Sequence, residues 1–200
     1  MGIYAIKPAF QRSLKPIERV LVDNKVHPTP INLAALVLSI IGGCSLAYSG
    51  EYQWLLIIVP FVAFLRTALN ALDGMVAREL DVANREFGEV LNETLDRISD
   101  AALLFGLTLA SYTSLTLGAV ATITVLITSY LSIVSKAAGG SRQYGGVMGK
   151  ADRMIVLGAG SVVLLATGYA PTGDIMLAII LFGTLITFVQ RFVSIRKELT

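Results

Sequence analysis

The sequence predicts an all-α integral membrane protein: six transmembrane helices preceded by an N-terminal amphipathic interfacial helix. Three observations predict it. The chain is apolar, with 54% hydrophobic residues, 15% charged residues and mean hydropathy +0.71 over 200 residues. Soluble domains carry about 25% charged residues, so these charges are too few to cover a soluble surface of this size. The apolar residues fall into six runs, each near the length of about 20 that a helical span needs. Basic residues gather in alternate connections, the pattern of a chain that crosses a bilayer back and forth.

The N-terminal segment Ile3–Val26 interleaves Phe10, Leu14, Ile17, Val20 and Leu21 with basic residues. That pattern fits a helix lying in the membrane interface, with Pro16 as its expected breaking point. His27-Pro28-Thr29-Pro30 ends it and turns the chain into the membrane, with His27 as a turn residue. The spans are then Ile31–Tyr48, Trp54–Ala71, Ser99–Leu115, Leu117–Ser135, Met154–Gly168 and Ile175–Val193. Several are short, so cytoplasmic extension of the helices is expected. Ser49–Gln53, the turn near Ser111–Ser114 and Tyr169–Asp174 carry no Lys or Arg, whereas the opposite connections carry almost all of the basic residues. Both termini are therefore expected on the cytoplasmic side.

One membrane domain over 1–200 is expected: 1–27 as the surface helix and 31–193 as the six-helix bundle. The only cysteine, Cys44, lies in an apolar run, which excludes a disulfide framework and reads as packing. No cleavable signal peptide is expected at the polar, proline-marked N-terminus. A net charge of +2 argues against nucleic acid as a partner.

The stretch from Asn70 to Asp100 is too polar to be explained by the bilayer. Asn70, Asp73 and Ala77 share one helical face, and Asn92, Asp96 and Asp100 share a face of the next helix. Two helices joined by a short turn are antiparallel neighbours, so the faces can converge. An aspartate at the bilayer centre costs about 2.5–3.5 kcal/mol, less near the boundary. Oxygen donors without histidine or cysteine suit a hard cation such as Mg²⁺ or Mn²⁺. Gly74, Ala77 and Gly88 leave room for a bulky ligand, and Arg78 can face a phosphate. Metal-assisted chemistry on a phosphate ester accounts for the whole set. A structural polar cluster and an ion or proton pathway account for parts of it. Asp81, Glu86 and Glu89, in or beside the turn, read as solvated residues with Arg85 and Arg97 for partners. Gly74 and Ala77 also fit helix packing.

The stretch resembles the signature of the CDP-alcohol phosphotransferases, D-x2-D-G-x2-A-R, then eight or nine residues, then G-x3-D-x3-D. This chain supplies Asn70, Asp73-Gly74, Ala77-Arg78, Gly88, Asn92 and Asp96 at that spacing. The six spans, the surface helix and Pro30-x-Asn32 at the first span are similar to that family too.

The resemblance implies transfer of a substituted phosphate from a CDP-alcohol, often CDP-diacylglycerol, to an acceptor alcohol, with release of CMP. It implies divalent ions held by the signature carboxylates, a homodimer among membrane lipids, and a role in phospholipid synthesis. On this chain, Asp73 and Asp96 become metal ligands and Asp96 the base. Gly74, Ala77, Arg78, Gly88 and Asn32 become the nucleotide site.

Asn70 and Asn92 stand where the family has its first and third aspartates, halving the ligand charge from −4 to −2. Three outcomes stay open. Asp100, one turn beyond Asp96, joins the site and restores a charge; the site holds one metal ion in place of two; or catalysis is lost and the chain binds nucleotide or lipid silently.

The second basic connection, Lys136–Arg153, is rich in glycine. Its glycines allow close approach to a ligand. Lys136, Arg142, Lys150 and Arg153 are expected to bind an anionic group of the acceptor. Setting topology and touching anionic lipid is the competing role for the same charges.

Overall fold

The computed structural model describes residues 7–80 and 85–200. Asp81 lies outside the described residues, as does the start of the predicted surface helix. Among the described residues the regular structure is helical: α1 (Lys7–Asp23), α2 (Pro28–Tyr48), α3 (Ile58–Glu79), α4 (Arg85–Leu109), α5 (Leu115–Ala137), α6 (Lys150–Thr167) and α7 (Thr172–Leu199). A 3₁₀ turn, Gln53–Ile57, leads into α3.

Each predicted span falls in or against one of these helices. α3 and α4 run well past the apolar run on the side that carries the polar stretch. Among the described residues, four helical stretches are long and apolar enough to cross a membrane: Pro28–Tyr48, Gln53–Glu79, Leu115–Ala137 and Thr172–Leu199. α4 and α6 fall short of that measure. Their sequences carry charged side chains that point into the protein, among them Asp96, Asp100 and Arg153. Hydropathy registers those charges without registering that they are paired.

α1 continues through Pro16, where a break was expected. Proline removes one backbone bond in the preceding turn. Docking offsets it: Leu14 is buried with Leu72, Met75 and Val76 of α3, and Phe10 and Leu21 pack beside them. α2 begins with prolines in its first turn, where their missing N–H groups cost nothing, and the His27 side chain accepts from the Thr29 N–H at 3.3 Å.

α2 packs most extensively against α4 and α3, α5 against α7, and α3 against α6. α2 and α4 meet at glycine. A Cβ on Gly43 would overlap the Ala102 carbonyl, and one on Gly106 would overlap the backbone of Gly43. Small residues let helix backbones approach where dispersion, rather than the hydrophobic effect, holds helices together. Buried Ser39, Thr108 and Thr122 donate to carbonyls four residues back, so these hydroxyls are satisfied inside their own helices. Phe61, Phe64, Phe105, Ile127 and Phe182 are among many large apolar side chains at least half exposed, forming the outer surface that lipid covers.

Candidate functional site

The site is built where the polar ends of α2, α3, α4 and α6 meet. Asp73 projects from α3 and is buried. One of its oxygens accepts from the Gly74 N–H at 2.6 Å. The Asn32 amide, buried on α2, lies in hydrogen-bonding reach, and Asp96 and Lys150 are the charged neighbours. Asp96, also buried, projects from α4 and forms an ion pair with Lys150 of α6, while Arg97 lies 3.8 Å away. Asn70 and Asn92 are partly buried on the same two helices, and among the described residues the buried Asn70 amide nitrogen has no hydrogen-bond partner.

Small residues leave one side open. A Cβ on Gly88 would meet nothing, and one on Gly74 would meet only the Arg78 guanidinium at 3.6 Å. Arg78 itself is exposed at the end of α3. There is therefore room for a ligand over Gly74, beside the Arg78 guanidinium, and room over Gly88.

Asp100 does not add a free carboxylate. One oxygen accepts from Arg66 at 2.8 Å and the other from Arg153 at 2.7 Å. All three side chains are buried, Arg66 fully. Arg66 also reaches the Met154 sulfur at 3.2 Å. Asp100 is thus the counter-ion that ties α3, α4 and α6 together, and both oxygens that the metal role needed are taken. Arg153, expected to bind the acceptor, is taken with it.

The other cations of the second basic connection are paired as well. Lys136 donates to Glu89 at 2.6 and 2.5 Å, and Arg142 forms an ion pair with Glu93 while lying 4.7 Å over the Tyr144 ring. Glu89, Glu93, Asp96 and Asp100 follow one another at offsets of four, three and four, one face of α4. Each meets a cation of the second basic connection, in the order Lys136, Arg142, Lys150, Arg153; Asp100 also holds Arg66, and Arg97 lies 3.8 Å from both Glu93 and Asp96. Sequence reasoning missed Glu93 and the depth of Arg66. The spacing of Glu93 from Glu89 and Asp96 was the available signal; for Arg66 it was a charge within an apolar run.

The connection is fastened from α7. Met148 N–H donates to Thr187 at 2.8 Å and Arg191 donates to the Gly145 carbonyl at 2.9 Å. Glu198 accepts from the Ser141 backbone at 2.6 Å and from Gln143 at 2.8 Å. A cavity of about 230 Å³ between Ser49, Gln53, Tyr112 and Leu164 lies at the far end of the helices, remote from the carboxylates.

The family model for CDP-alcohol phosphatidyltransferases matches residues 25–190. The chain belongs to the CDP-alcohol phosphatidyltransferase family. It is a membrane transferase of phospholipid synthesis that acts on CDP-alcohols. It is 37% identical to the inner membrane protein YnbA of Escherichia coli over 158 residues, covering 79% of this chain and 78% of that one. It is 31% identical over 193 residues to the phosphatidylinositol phosphate synthase of Mycobacterium tuberculosis, covering 92% and 86%. Crystal structures of the Mycobacterium tuberculosis synthase superpose on this CDP-alcohol phosphotransferase at 26% identity. The one with CDP-DAG bound has TM-score 0.73 and covers 92% of this chain and 94% of that one. The one in complex with manganese and citrate has TM-score 0.74, covering 92% and 88%.

The donor set suits a hard divalent ion. Asp73 and Asp96 bring carboxylates, and Asn70 and Asn92 bring amide oxygens. Among the described residues no three His, Cys, Asp or Glu side chains form a metal-binding group. The reason is chemical: half of the oxygen donors here are amides. One turn before Asp73 on α3, the Asn70 amide nitrogen has no hydrogen-bond partner among the described residues. The set therefore fits a divalent ion held with less charge than four carboxylates would supply.

Proposed function

We propose that this phosphotransferase moves a phosphatidyl-type phosphate from CDP-diacylglycerol to an acceptor alcohol and releases CMP. The observation that carries this reading is the convergence of Asp73 and Asp96 on Lys150, with unfilled space over Gly74 beside Arg78. The Mycobacterium tuberculosis structures, one with CDP-DAG and one with manganese, support the donor and the ion.

Asn70, Asp73, Asn92 and Asp96 would hold one Mg²⁺ or Mn²⁺. Such an ion, when bound, offsets charge on the diphosphate and on the phosphoryl oxygens in the transition state. Arg78 binds the diphosphate, Ala77 and the two glycines admit the nucleotide, and Asn32 keeps Asp73 oriented. Asp96 accepts the proton of the acceptor hydroxyl as its oxygen bonds to the lipid-side phosphorus. The bond from that phosphorus to the bridging oxygen breaks, and CMP carries the electron pair away. Asp100 works as a structural counter-ion and not as a ligand. All seven helices form one domain. Six of them span the membrane, α1 lies in the interface, both termini and the site face the cytoplasm, and the working unit is a homodimer.

The test is CMP release by the protein in liposomes containing CDP-diacylglycerol and a pool of alcohols, with and without EDTA. CMP release that needs Mg²⁺ or Mn²⁺, together with a new phospholipid, is the expected outcome. Release unaffected by EDTA would remove the metal. The loss of two carboxylates at Asn70 and Asn92 favours a second reading, a silent relative that binds CDP-alcohol without turnover. Tight binding of CDP-diacylglycerol with no CMP formed by folded protein would select it.

A further inference from the structure

The surface of α1 divides into three strips. Phe10, Leu14 and Leu21 dock on α3, where Leu14 is buried with Leu72, Met75 and Val76. Ile17 and Val20, beside that strip, are 50% and 60% exposed. Arg12, Lys15 and Arg19, at offsets of three and four, share the face turned away from Leu14, and all three are exposed. None of them has an ion-pair partner among the described residues. Four basic residues against Glu18 and Asp23 leave the helix with net charge +2.

The aromatic contact of α1 shows which side of α3 it follows. Phe10 meets Phe64 edge-on, with ring centroids 6.1 Å apart, and Phe64 is one of the exposed side chains of the apolar belt. Ile17 and Val20 extend that apolar surface along α1. A helix that carries an apolar strip beside a strip of unpaired cations is built for an anionic lipid surface. Its apolar side chains enter the boundary of the acyl chains, and its long basic side chains reach up to headgroup phosphates. The attraction acts over about a Debye length, so only cations held at the surface feel it. Docking holds these three there. The seat also touches the site: Leu72 precedes Asp73 in α3, and Met75 and Val76 follow it within a turn. A lipid that favours the docked position of α1 favours the packing of that stretch as well.

We infer that the basic face of α1 is a docking surface for anionic phospholipid headgroups, and that seating it there steadies the stretch of α3 that carries Asp73. This inference rests on the interfacial placement of α1 proposed above and goes beyond it by naming the headgroup charge and its consequence for the site.

The experiment follows hydrogen exchange of the full-length protein by mass spectrometry in two kinds of nanodisc. One contains phosphatidylcholine alone, and the other adds phosphatidylglycerol. The wild type should exchange its α1 amides about fivefold more slowly in the anionic discs. Raising KCl to about 0.5 M should remove most of that difference by screening. R12Q/K15Q/R19Q should exchange alike in both discs. Equal exchange of the wild-type helix in both discs would overturn the inference: if slow, the apolar strip alone seats α1; if fast, α1 is not in the interface at all. A difference that survives both salt and the triple substitution would overturn it too. In the activity arm, CMP release by the wild type should be faster in the anionic discs, and the triple variant should lack that gain. Equal CMP release in both discs, with the exchange difference intact, would overturn the link to Asp73. No CMP from either protein, with the exchange difference intact, would count against the transferase reading while supporting the lipid surface on α1.

Discussion

Asp73, Asp96 and Asp100 are the same residue type within two consecutive helices, which pack on α2 and not, as the sequence suggested, on each other, and their surroundings differ. Asp73 accepts a backbone N–H and has Asn32 beside it; Asp96 holds a lysine ammonium; Asp100 is closed between two arginines. Removing one partner of a buried ion pair leaves an uncompensated charge, which typically costs about 3–5 kcal/mol. Asp100→Ala strands both Arg66 and Arg153, so it should lower thermal stability by an amount of that order, measured by unfolding in detergent. Asp73→Asn keeps shape and neighbours. It should leave stability within about 1 kcal/mol of the wild type, the scale of an ordinary hydrogen bond, while metal-dependent CMP release falls at least tenfold. Asp100 looked in the sequence like a spare ligand because its spacing from Asp96 is one turn. Its partners lie 34 and 53 residues away in the chain, and no local pattern announces them. Glu93 was missed too, although its spacing from Glu89 and Asp96 on α4 offered a local signal.

At the scale of elements, the helices were readable because each apolar run is long enough to be a helix whichever way it faces. Their extent was less readable. α4 continues through charged residues that a hydropathy window counts as surface, because a window cannot register Arg66 and Arg153 waiting on neighbouring helices. Pro16 was misread for the related reason that docking on α3 outweighs one lost backbone bond. The α2–α4 contact gives a sharp prediction. Gly106→Val places a side chain on the backbone of Gly43. It should destabilise the protein by about 1–3 kcal/mol, as overpacking does, and the change would register as a lower midpoint in thermal unfolding. The fastening of the second basic connection belongs to this scale too. Thr187→Val removes the acceptor for Met148 N–H and should raise the acceptor KM more than the donor KM in steady-state kinetics. An equal effect on both would argue that the connection does not serve the acceptor.

Over the whole molecule, an apolar belt encloses helices whose charged residues gather at one end. The far end holds the cavity near Tyr112 and hydroxyl contacts such as Ser49 with Tyr112 at 2.7 Å. That asymmetry is what a membrane enzyme needs when one substrate arrives from lipid and the other from water. It predicts that cysteines introduced at Arg78 and Ser141 are labelled by a membrane-impermeant thiol reagent from the cytoplasmic side, and cysteines at Glu51 and Tyr169 from the other. The class of the molecule was open to sequence reading, since composition and charge alternation are global properties. The division of labour among its carboxylates was not, since it depends on which helix stands beside which.

The proposed base, Asp96, and the structural counter-ion, Asp100, are separated by measuring CMP release and thermal unfolding side by side for Asp96→Asn and Asp100→Asn. The expected result is a folded Asp96→Asn protein with no CMP release, destabilised only by the loss of its half-open pair with Lys150, and an Asp100→Asn protein, with two buried arginines left unpaired, that unfolds at a markedly lower temperature than either the wild type or Asp96→Asn. A folded Asp96→Asn protein that still releases CMP at the wild-type rate would contradict it.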